Sequence, residues 1–123
     1  MTLNIYEIEG VFELQGDVTT YNAQQVEKYF EVMLRLKPQV IINLSRLESM
    51  DVAGVYAFYN LLNQASKEGK FLRFVGANNF KLQNAFLNSG CNLFDFNYFD
   101  SSAKKHFKNF TIFRKKNFKW DRK

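Results

Sequence analysis

The sequence predicts an α/β domain in which a mixed sheet of four to five strands carries about four helices, mainly on one face. Three observations lead to this prediction. Short apolar runs alternate with longer segments whose apolar residues recur at helical spacing. Two strands come first and are followed by alternating helices and strands, an order that indicates a mixed sheet. Asparagine, aspartate, proline and glycine stand where the helices should begin or end.

Two strands are predicted near the N-terminus, over residues 4–9 and 11–15, on either side of Gly10. In the second strand Val11, Glu13 and Gln15 alternate with the large apolar residues Phe12 and Leu14, which is the pattern of a half-buried strand. Gly16 and Asp17 are expected to end this strand, because both residue types favour turns.

The first helix is predicted to follow Asn22. Gln25 stands three residues after this asparagine, so the pair resembles a capping box. Pro38 should stop the helix, because proline lacks the amide that a helix interior needs. The apolar residues that recur on the inward face of this helix are Val26, Phe30, Met33 and Leu34.

The middle of the chain predicts a strand, a helix and a second strand. Residues 40–44 form a continuous apolar run, which is typical of a strand covered on both faces. Asp51 can cap the helix that follows, and Gly69 can end it in a left-handed conformation. The second strand is predicted over residues 71–76. The inward face of the helix carries Ala53, Ala57, Phe58, Leu61, Leu62 and Ala65.

The last third of the chain predicts two more helices. Asn78 or Asn79 can cap the third helix, and Gly90 can close it. A short apolar stretch over residues 93–99 is a candidate edge strand. The fourth helix should begin within residues 100–102, with Ala103, Phe107 and Phe110 on its inward face.

The basic charge of the chain is concentrated at one end. The net charge of the 123 residues is +5, but residues 104–123 hold nine basic and one acidic side chain, a net charge of +8. The other residues therefore carry −3. Because the helical pattern fades near Thr111, we divide the chain into a domain over residues 1–110 and a basic, aromatic tail over residues 111–123.

The aromatic and basic residues at the C-terminal end allow two interpretations. Segments of this composition can bind anionic membrane surfaces or single-stranded nucleic acid. Alternatively, Phe107, Phe110 and Phe113 complete the core, and the rest is a solvated end. We favour the second interpretation.

The sequence gives little support to an enzyme. Cys91 is the one cysteine, and neither a low thiol pKa nor a neighbouring base is indicated for it. His106 stands among lysines and is expected at the surface. No metal-binding motif or phosphate-binding glycine loop is present, so we expect no metal or cofactor. A single cysteine, no apolar run long enough to span a membrane and no secretory signal predict a cytoplasmic protein.

An ordered set of short motifs resembles the STAS domain, a family named for sulfate transporters and anti-sigma factor antagonists. Residues 40–54 read VIINLSRLESMDVAG, which resembles the family's apolar strand, its Asn-Leu-Ser turn and its Asp-x-x-Gly helix start. The similarity covers about residues 5–110. The matching positions outside this segment are Gly16, Asp17, Ala23, Gly69, Ser89 and Gly90.

The resemblance implies a protein-binding module that is not an enzyme. In the bacterial antagonist branch, the unphosphorylated domain binds an anti-sigma factor with a kinase-type fold, and this partner switching regulates transcription. By this resemblance, the predicted partner-binding residues are Gly16, Asp17, Val18 and Thr19 with Asp51, Val52, Ala53 and Gly54. Soluble STAS subunits of lipid-transport ABC complexes are the alternative branch, and the sequence does not separate the two.

The chain departs from the antagonist pattern at one position. Family members carry the phosphorylated serine just before the motif's glycine, where this chain has Ala53. Alanine cannot accept a phosphate, so the usual switch is missing. Ser49 is a candidate phosphorylation site nearby, although a structural role ahead of the helix cap is the favoured interpretation.

Overall fold

The computed structural model describes residues 3–96. These residues contain a five-stranded mixed sheet. β1 is antiparallel to β2, and the other pairs (β2 with β3, β2 with β4, β3 with β5) are parallel. The path β1-β2-β3-β5 crosses the sheet, and β4 also pairs with β2, which confirms the predicted mixed sheet. The strands are β1 (Leu3–Ile8), β2 (Val11–Val18), β3 (Gln39–Asn43), β4 (Leu47–Met50) and β5 (Phe71–Val75).

Three α-helices connect or follow the strands within the described residues. They are α1 (Ala23–Leu36), α2 (Val52–Glu68) and α3 (Gln83–Ser89), and 3-10 turns cover Phe80–Leu82 and Leu93–Phe96. Gly69 and Gly90 close α2 and α3 in left-handed conformations, as predicted. The predicted fourth helix, with Ala103, Phe107 and Phe110, and the predicted tail lie outside the described residues.

The core lies between one face of the sheet and the helices. Alternate residues of the central strands are fully buried there, and the helices add further buried side chains. Phe12 meets Phe30 edge-to-face with ring centroids 5.4 Å apart, and Phe58 meets Phe74 at 5.1 Å. Each fully buried side chain of this size stabilises the fold by about 1.5–3 kcal/mol. The buried strand residues are Phe12, Leu14, Val18, Val40, Ile42, Leu47, Met50, Leu72 and Phe74.

The predicted burial of residues 40–44 on both faces is correct for one face. Val40 and Ile42 are fully buried, whereas Ile41 and Asn43 are half-buried on the opposite face. The helices within residues 3–96 contribute their buried side chains to the first face. This confirms that the described helices lie mainly on one side.

The predicted end of the second strand at Gly16 and Asp17 is wrong, because β2 continues to Val18. Its first half pairs with β3 and its second half with β4, and the register shifts between Gly16 and Asp17. The positive φ of Gly16, 119°, accommodates this shift. β4 was not predicted, because its four residues, LESM, are short and carry no clear alternation.

The predicted edge strand over residues 93–99 is wrong for residues 93–96. Leu93–Phe96 forms a 3-10 turn, and residues 97–99 lie outside the described part. The Asn92 side chain accepts a hydrogen bond from the Phe94 amide at 2.9 Å, which favours the turn over an extended strand. Leu93 is fully buried, and its apolar character gave rise to the strand prediction.

Replacing Gly76 by alanine should destabilise the fold by about 2–4 kcal/mol, because it combines backbone strain with a steric clash. Gly76 has φ +111°, and a Cβ atom there would lie 2.5 Å from the Ser45 backbone nitrogen. Gly90→Ala is the matched control, since its φ is +72° but no atom lies within 4 Å of the added carbon. The control should lose about 1–2 kcal/mol. Equal losses in urea unfolding would contradict the clash.

Candidate functional site

Two helices begin side by side at one edge of the sheet. The ends of β2 and β4 are paired there, with Asp17 opposite Ser49 and Val18 opposite Met50. α1 follows β2 after a short turn, and α2 follows β4 directly. We call residues 16–21 and 49–56 the helix-entrance edge. It brings together both groups of residues that were predicted to bind a partner.

The Asp51 carboxylate joins the two halves of this edge. One of its oxygens, Oδ1, accepts a hydrogen bond from the Gly54 amide at 3.2 Å and caps α2, as predicted. The other oxygen, Oδ2, accepts from the Thr20 amide at 2.9 Å and from the Thr20 hydroxyl at 3.1 Å. The Asp51 amide donates to the Val18 carbonyl at 3.0 Å. The start of α2 is therefore fixed to the turn before α1.

The turn before α1 is held by Asn22, in a different way from the predicted capping box. Helix α1 does begin after Asn22, but this side chain makes no cap hydrogen bond to the helix. Its Oδ1 accepts from the Thr19 amide at 2.8 Å, and its Nδ2 donates to the Asp17 carbonyl at 2.8 Å. The turn from Asp17 to Asn22 is closed by this amide side chain together with backbone hydrogen bonds from Asn22 and Ala23 to the Thr19 carbonyl.

Asp17 is hydrogen-bonded within the sheet. Its Oδ1 accepts a hydrogen bond from the Ser49 hydroxyl, across the β2–β4 pair. One oxygen of the Asp17 side chain is thus engaged in an internal contact. The sequence analysis had placed Ser49 ahead of the helix cap and had not indicated this contact.

Gly54 allows α2 to approach the strand ends closely. A Cβ atom at this position would lie 2.7 Å from Met50 Cγ and 2.8 Å from Val18 Cγ1. The family resemblance had placed this glycine among the partner-binding residues. In the structure it is buried against the domain's own strands. Gly54 and the fully buried Val18 therefore support the surface from below and do not lie on it.

The Asn79 side chain stabilises the connection between β3 and β4 by hydrogen bonds to its backbone. Its Nδ2 donates to the carbonyls of Leu44 at 2.8 Å and of Leu47 at 2.9 Å. Its Oδ1 accepts from the Lys81 amide at 3.1 Å, so it caps the 3-10 turn. The prediction that Asn78 or Asn79 caps the third helix itself is wrong, because α3 begins after Leu82 without a side-chain cap. The sequence had indicated the capping role alone.

The accessible part of the helix-entrance edge consists of small, polar and aromatic side chains. Val52 and Ala53 are half-buried at the start of α2, and Thr20 is exposed. Tyr21 is 96% exposed and Tyr56 is 47% exposed. The sequence analysis did not single out either tyrosine as part of the site. The helical spacing of Tyr56, four residues after Val52, was a signal that could have done so.

Cys91 is unsuited to act as a nucleophile. It is 4% exposed, and burial, with a smaller effect of the Asp95 charge, raises the pKa of its thiol to about 12. Within residues 3–96 no group of three or more His, Cys, Asp or Glu side chains could hold a metal ion. No helix in the same range is long and apolar enough to cross a membrane.

Comparison with known proteins identifies relatives of this fold. Residues 2–90 match the family model of the STAS domain. A protein from Thermotoga maritima that is assigned as an anti-sigma factor antagonist aligns with a TM-score of 0.56 and 22% identity, covering 72% of this chain and 78% of its own. One from Mycobacterium paratuberculosis aligns with a TM-score of 0.54 and 18% identity, covering 72% and 77%. At these identities the likeness shows a shared fold. A search of curated proteins gave no significant match.

Removing the Asp51 carboxylate should cost about 2 kcal/mol of unfolding free energy in Asp51→Ala, since the helix cap and both Thr20 contacts are lost. Thr20→Val removes the hydroxyl contact alone and should cost about 0.5–1 kcal/mol, whereas Thr20→Ser should match the parent within about 0.5 kcal/mol. In the Asp51→Ala background, Thr20→Val should have little further effect. Additive losses in chemical denaturation would show that the two residues are not coupled.

The reactivity of Cys91 towards a disulfide reagent should follow its raised pKa. A change from the ordinary value near 9 to about 12 lowers the thiolate fraction at neutral pH about a thousandfold. At pH 7 to 8 the labelling rate of the native chain should be at least about a hundredfold lower than that of the urea-unfolded chain, because the native thiol is both buried and protonated. Equal labelling rates in the native and unfolded chains would contradict this assignment.

Proposed function

This chain belongs to the STAS domain family, and on that premise we propose that it is a non-enzymatic protein-interaction module of the anti-sigma factor antagonist type. Its partner would be an anti-sigma factor with a kinase-type fold, and its role would be partner switching in bacterial transcription regulation, in the cytoplasm. The family match and the antagonists that share this fold support the proposal.

The observation that carries the proposal is the fixed geometry of the helix-entrance edge. The Asp51 carboxylate holds the turn at Thr20 against the start of α2 with three hydrogen bonds. A surface that is already ordered loses little conformational entropy when a partner binds. Val52 and Ala53 remain partly accessible on it. This arrangement favours recognition by a rigid protein surface.

Two tyrosines would supply much of the binding energy. Tyr21 and Tyr56 are exposed near the starts of α1 and α2. Thr20, next to Tyr21, donates two hydrogen bonds to Asp51 at the start of α2, so the two helix starts belong to one surface. Tyrosine is enriched among the residues that dominate binding energy, because its ring buries a large area at low entropic cost.

Regulation in this chain would differ from that of phosphorylated antagonists. Ala53 stands where the family carries its serine, so phosphorylation there cannot release the partner. Ser49 stays a candidate phosphorylation site. The Asp17 carboxylate, which accepts a hydrogen bond from the Ser49 hydroxyl, would repel a phosphate on this serine. Without such a modification, the module would bind its partner constitutively.

Ala53→Glu should abolish or strongly weaken partner binding, by at least about a hundredfold, because a buried interfacial charge without a partner is costly. The variant should remain folded, since a carboxylate in the first turn interacts favourably with the helix dipole. The measurement is calorimetric titration of purified anti-sigma factors of the source organism with the chain. Tyr21→Ala and Tyr56→Ala should each weaken the same interaction about tenfold or more.

Asn63→Glu is the matched control for this experiment. It places the same charge on an exposed position of α2, ten residues and about 15 Å beyond Ala53. The control should bind as the parent does. If Ala53→Glu also retains every partner at unchanged affinity, the helix-entrance edge is not the interface. If the chain binds none of the anti-sigma factors but binds the ATPase subunit of a lipid-transport complex, and Ala53→Glu abolishes that binding, the regulatory part of the proposal is wrong and the interaction surface stands.

A further inference from the structure

The outer edge of β1 carries unpaired backbone groups. β1 lies at one side of the sheet, and among the described residues β2 is the one strand that pairs with it. A two-residue turn with positive φ at both positions, residues 9–10, joins the two strands, so the residues that flank it form a hydrogen-bonded pair. Such pairs recur at every second position of an antiparallel ladder. Leu3, Ile5 and Glu7 lie at the positions in between, and their backbone N–H and C=O groups point away from β2.

β1 also lacks the features that usually keep an edge strand from pairing with another chain. Its sequence, LNIYEI, contains no proline, lysine or glycine, and its register with β2 is uninterrupted. Its one charged residue, Glu7, forms an ion pair with Lys37 of the same chain at 3.1 Å. The strand at the other side of the sheet, β5, is different, because it carries the exposed Arg73 and Leu93–Phe96 packs against it. β1 is therefore the edge that can accept a further strand.

An apolar stripe on α1 lies on the same side of the domain as this edge. Tyr29, Val32 and Leu36 are 38%, 39% and 70% exposed, and the partly buried Met33 belongs to the same helical face. The Tyr29 ring meets Phe12 of β2 edge-to-face, with ring centroids 6.2 Å apart. The other side of α1 packs against α2. The stripe is therefore on the outer side of α1, above β1 and β2.

The stripe and the strand are centred at the same height of the domain. β1 and α1 run in the same direction, because both run opposite to β2. The ion pair between Lys37 and Glu7 aligns the end of α1 with the end of β1. Ile5 lies before Glu7 by about 7 Å along the strand. The same distance covers about four to five residues of a helix and leads from Lys37 back to Val32 and Met33, the middle of the stripe.

We propose that β1 and the stripe on α1 form the interface of a homodimer, in which two β1 strands pair antiparallel about a two-fold axis at Ile5. Leu3 then lies opposite Glu7 of the second copy, and the two Ile5 residues lie opposite each other. This register joins the outward backbone groups of these residues in about six hydrogen bonds. The two stripes also meet, since they are centred at the same axis, with Tyr29 opposite Leu36 of the second copy. The inference is independent of the proposed function.

A second copy fits this edge because its charges and its helices are compatible with the pairing. In the proposed register the two Glu7 carboxylates are about 13 Å apart along the strands, which exceeds the Debye length of about 8 Å at physiological salt. Neighbouring strands lie about 4.8 Å apart, so a helix above the β1–β2 pair lies about 10 Å from its counterpart in the second copy. Helices pack at about 8–10 Å, so the two α1 helices can touch along their stripes.

The size of the interface predicts a weak, reversible dimer. β1 and α1 are each about 20 Å long, and the strand and helix layers together are about 20 Å high, so each copy contributes about 400 Å². The total of about 800 Å² lies in the range of transient contacts. Lys28 and Arg35, which are exposed beside the stripe, repel their counterparts across the axis and further limit the affinity. We expect a dissociation constant of about 10–100 µM.

Sedimentation of the full-length chain between about 5 and 500 µM tests the dimer, and the parent should pass from mostly monomer to mostly dimer over this range. Val32→Arg should raise the dissociation constant at least about tenfold, because it places two unpaired charges at the axis. Gln24→Arg is the matched control, since it adds the same charge at an exposed position of α1 outside the stripe. The control should associate as the parent does. A parent that stays monomeric, or a Val32→Arg variant that associates equally well, would overturn the proposal.

Amide hydrogen exchange in the same full-length chain identifies the strand that pairs. The amides of Asn4 and Tyr6 are bonded to β2 and should be protected at every concentration, so they serve as internal controls. The amides of Leu3, Ile5 and Glu7 should exchange about threefold to tenfold more slowly at about 500 µM than at about 5 µM. Full protection of these three amides at the lower concentration would mean that another segment of the same chain covers the edge. A dimer without their protection would mean that the copies associate elsewhere. Either result would overturn the proposal.

Discussion

The fold depends on the close approach of α2 to the ends of β2 and β4. Gly54 makes this approach possible, because any side chain would meet Val18 and Met50 at distances below 3 Å. Asp51 then fixes it by joining the helix start to Thr20. The first half of β2 pairs with β3 and the second half with β4. The junction fixes the second half, because it joins the end of β2 to the start of α2, which follows β4 directly.

Much of this arrangement could be predicted from local signals in the sequence. The caps at Asp51 and Gly69 act on their own backbone, so their residue types are sufficient to locate the ends of α2. The period of the apolar residues likewise identified the buried side of α1 and α2. The family resemblance added the proximity of Gly16–Thr19 to Asp51, which no local pattern contains.

Other features could not be predicted, because they arise from contacts between distant residues. β4 exists because the end of β2 offers it unpaired backbone groups, and its own four residues show no strand pattern. Asn22 resembled a helix cap, but the backbone of Asp17 and Thr19 competes for the same side chain. The close packing around Gly54 could not be predicted either, since its neighbours come from two separate strands.

The distribution of hydrogen bonds also constrains how the helix-entrance edge can recognise a partner. Both oxygens of Asp51 and one oxygen of Asp17 already accept hydrogen bonds from within the domain. These carboxylates serve the fold first and offer a partner few free acceptor positions. A partner that binds this surface would then be recognised mainly by its shape and by the exposed rings of Tyr21 and Tyr56. Since such contacts are largely apolar, affinity at this surface should depend only weakly on salt.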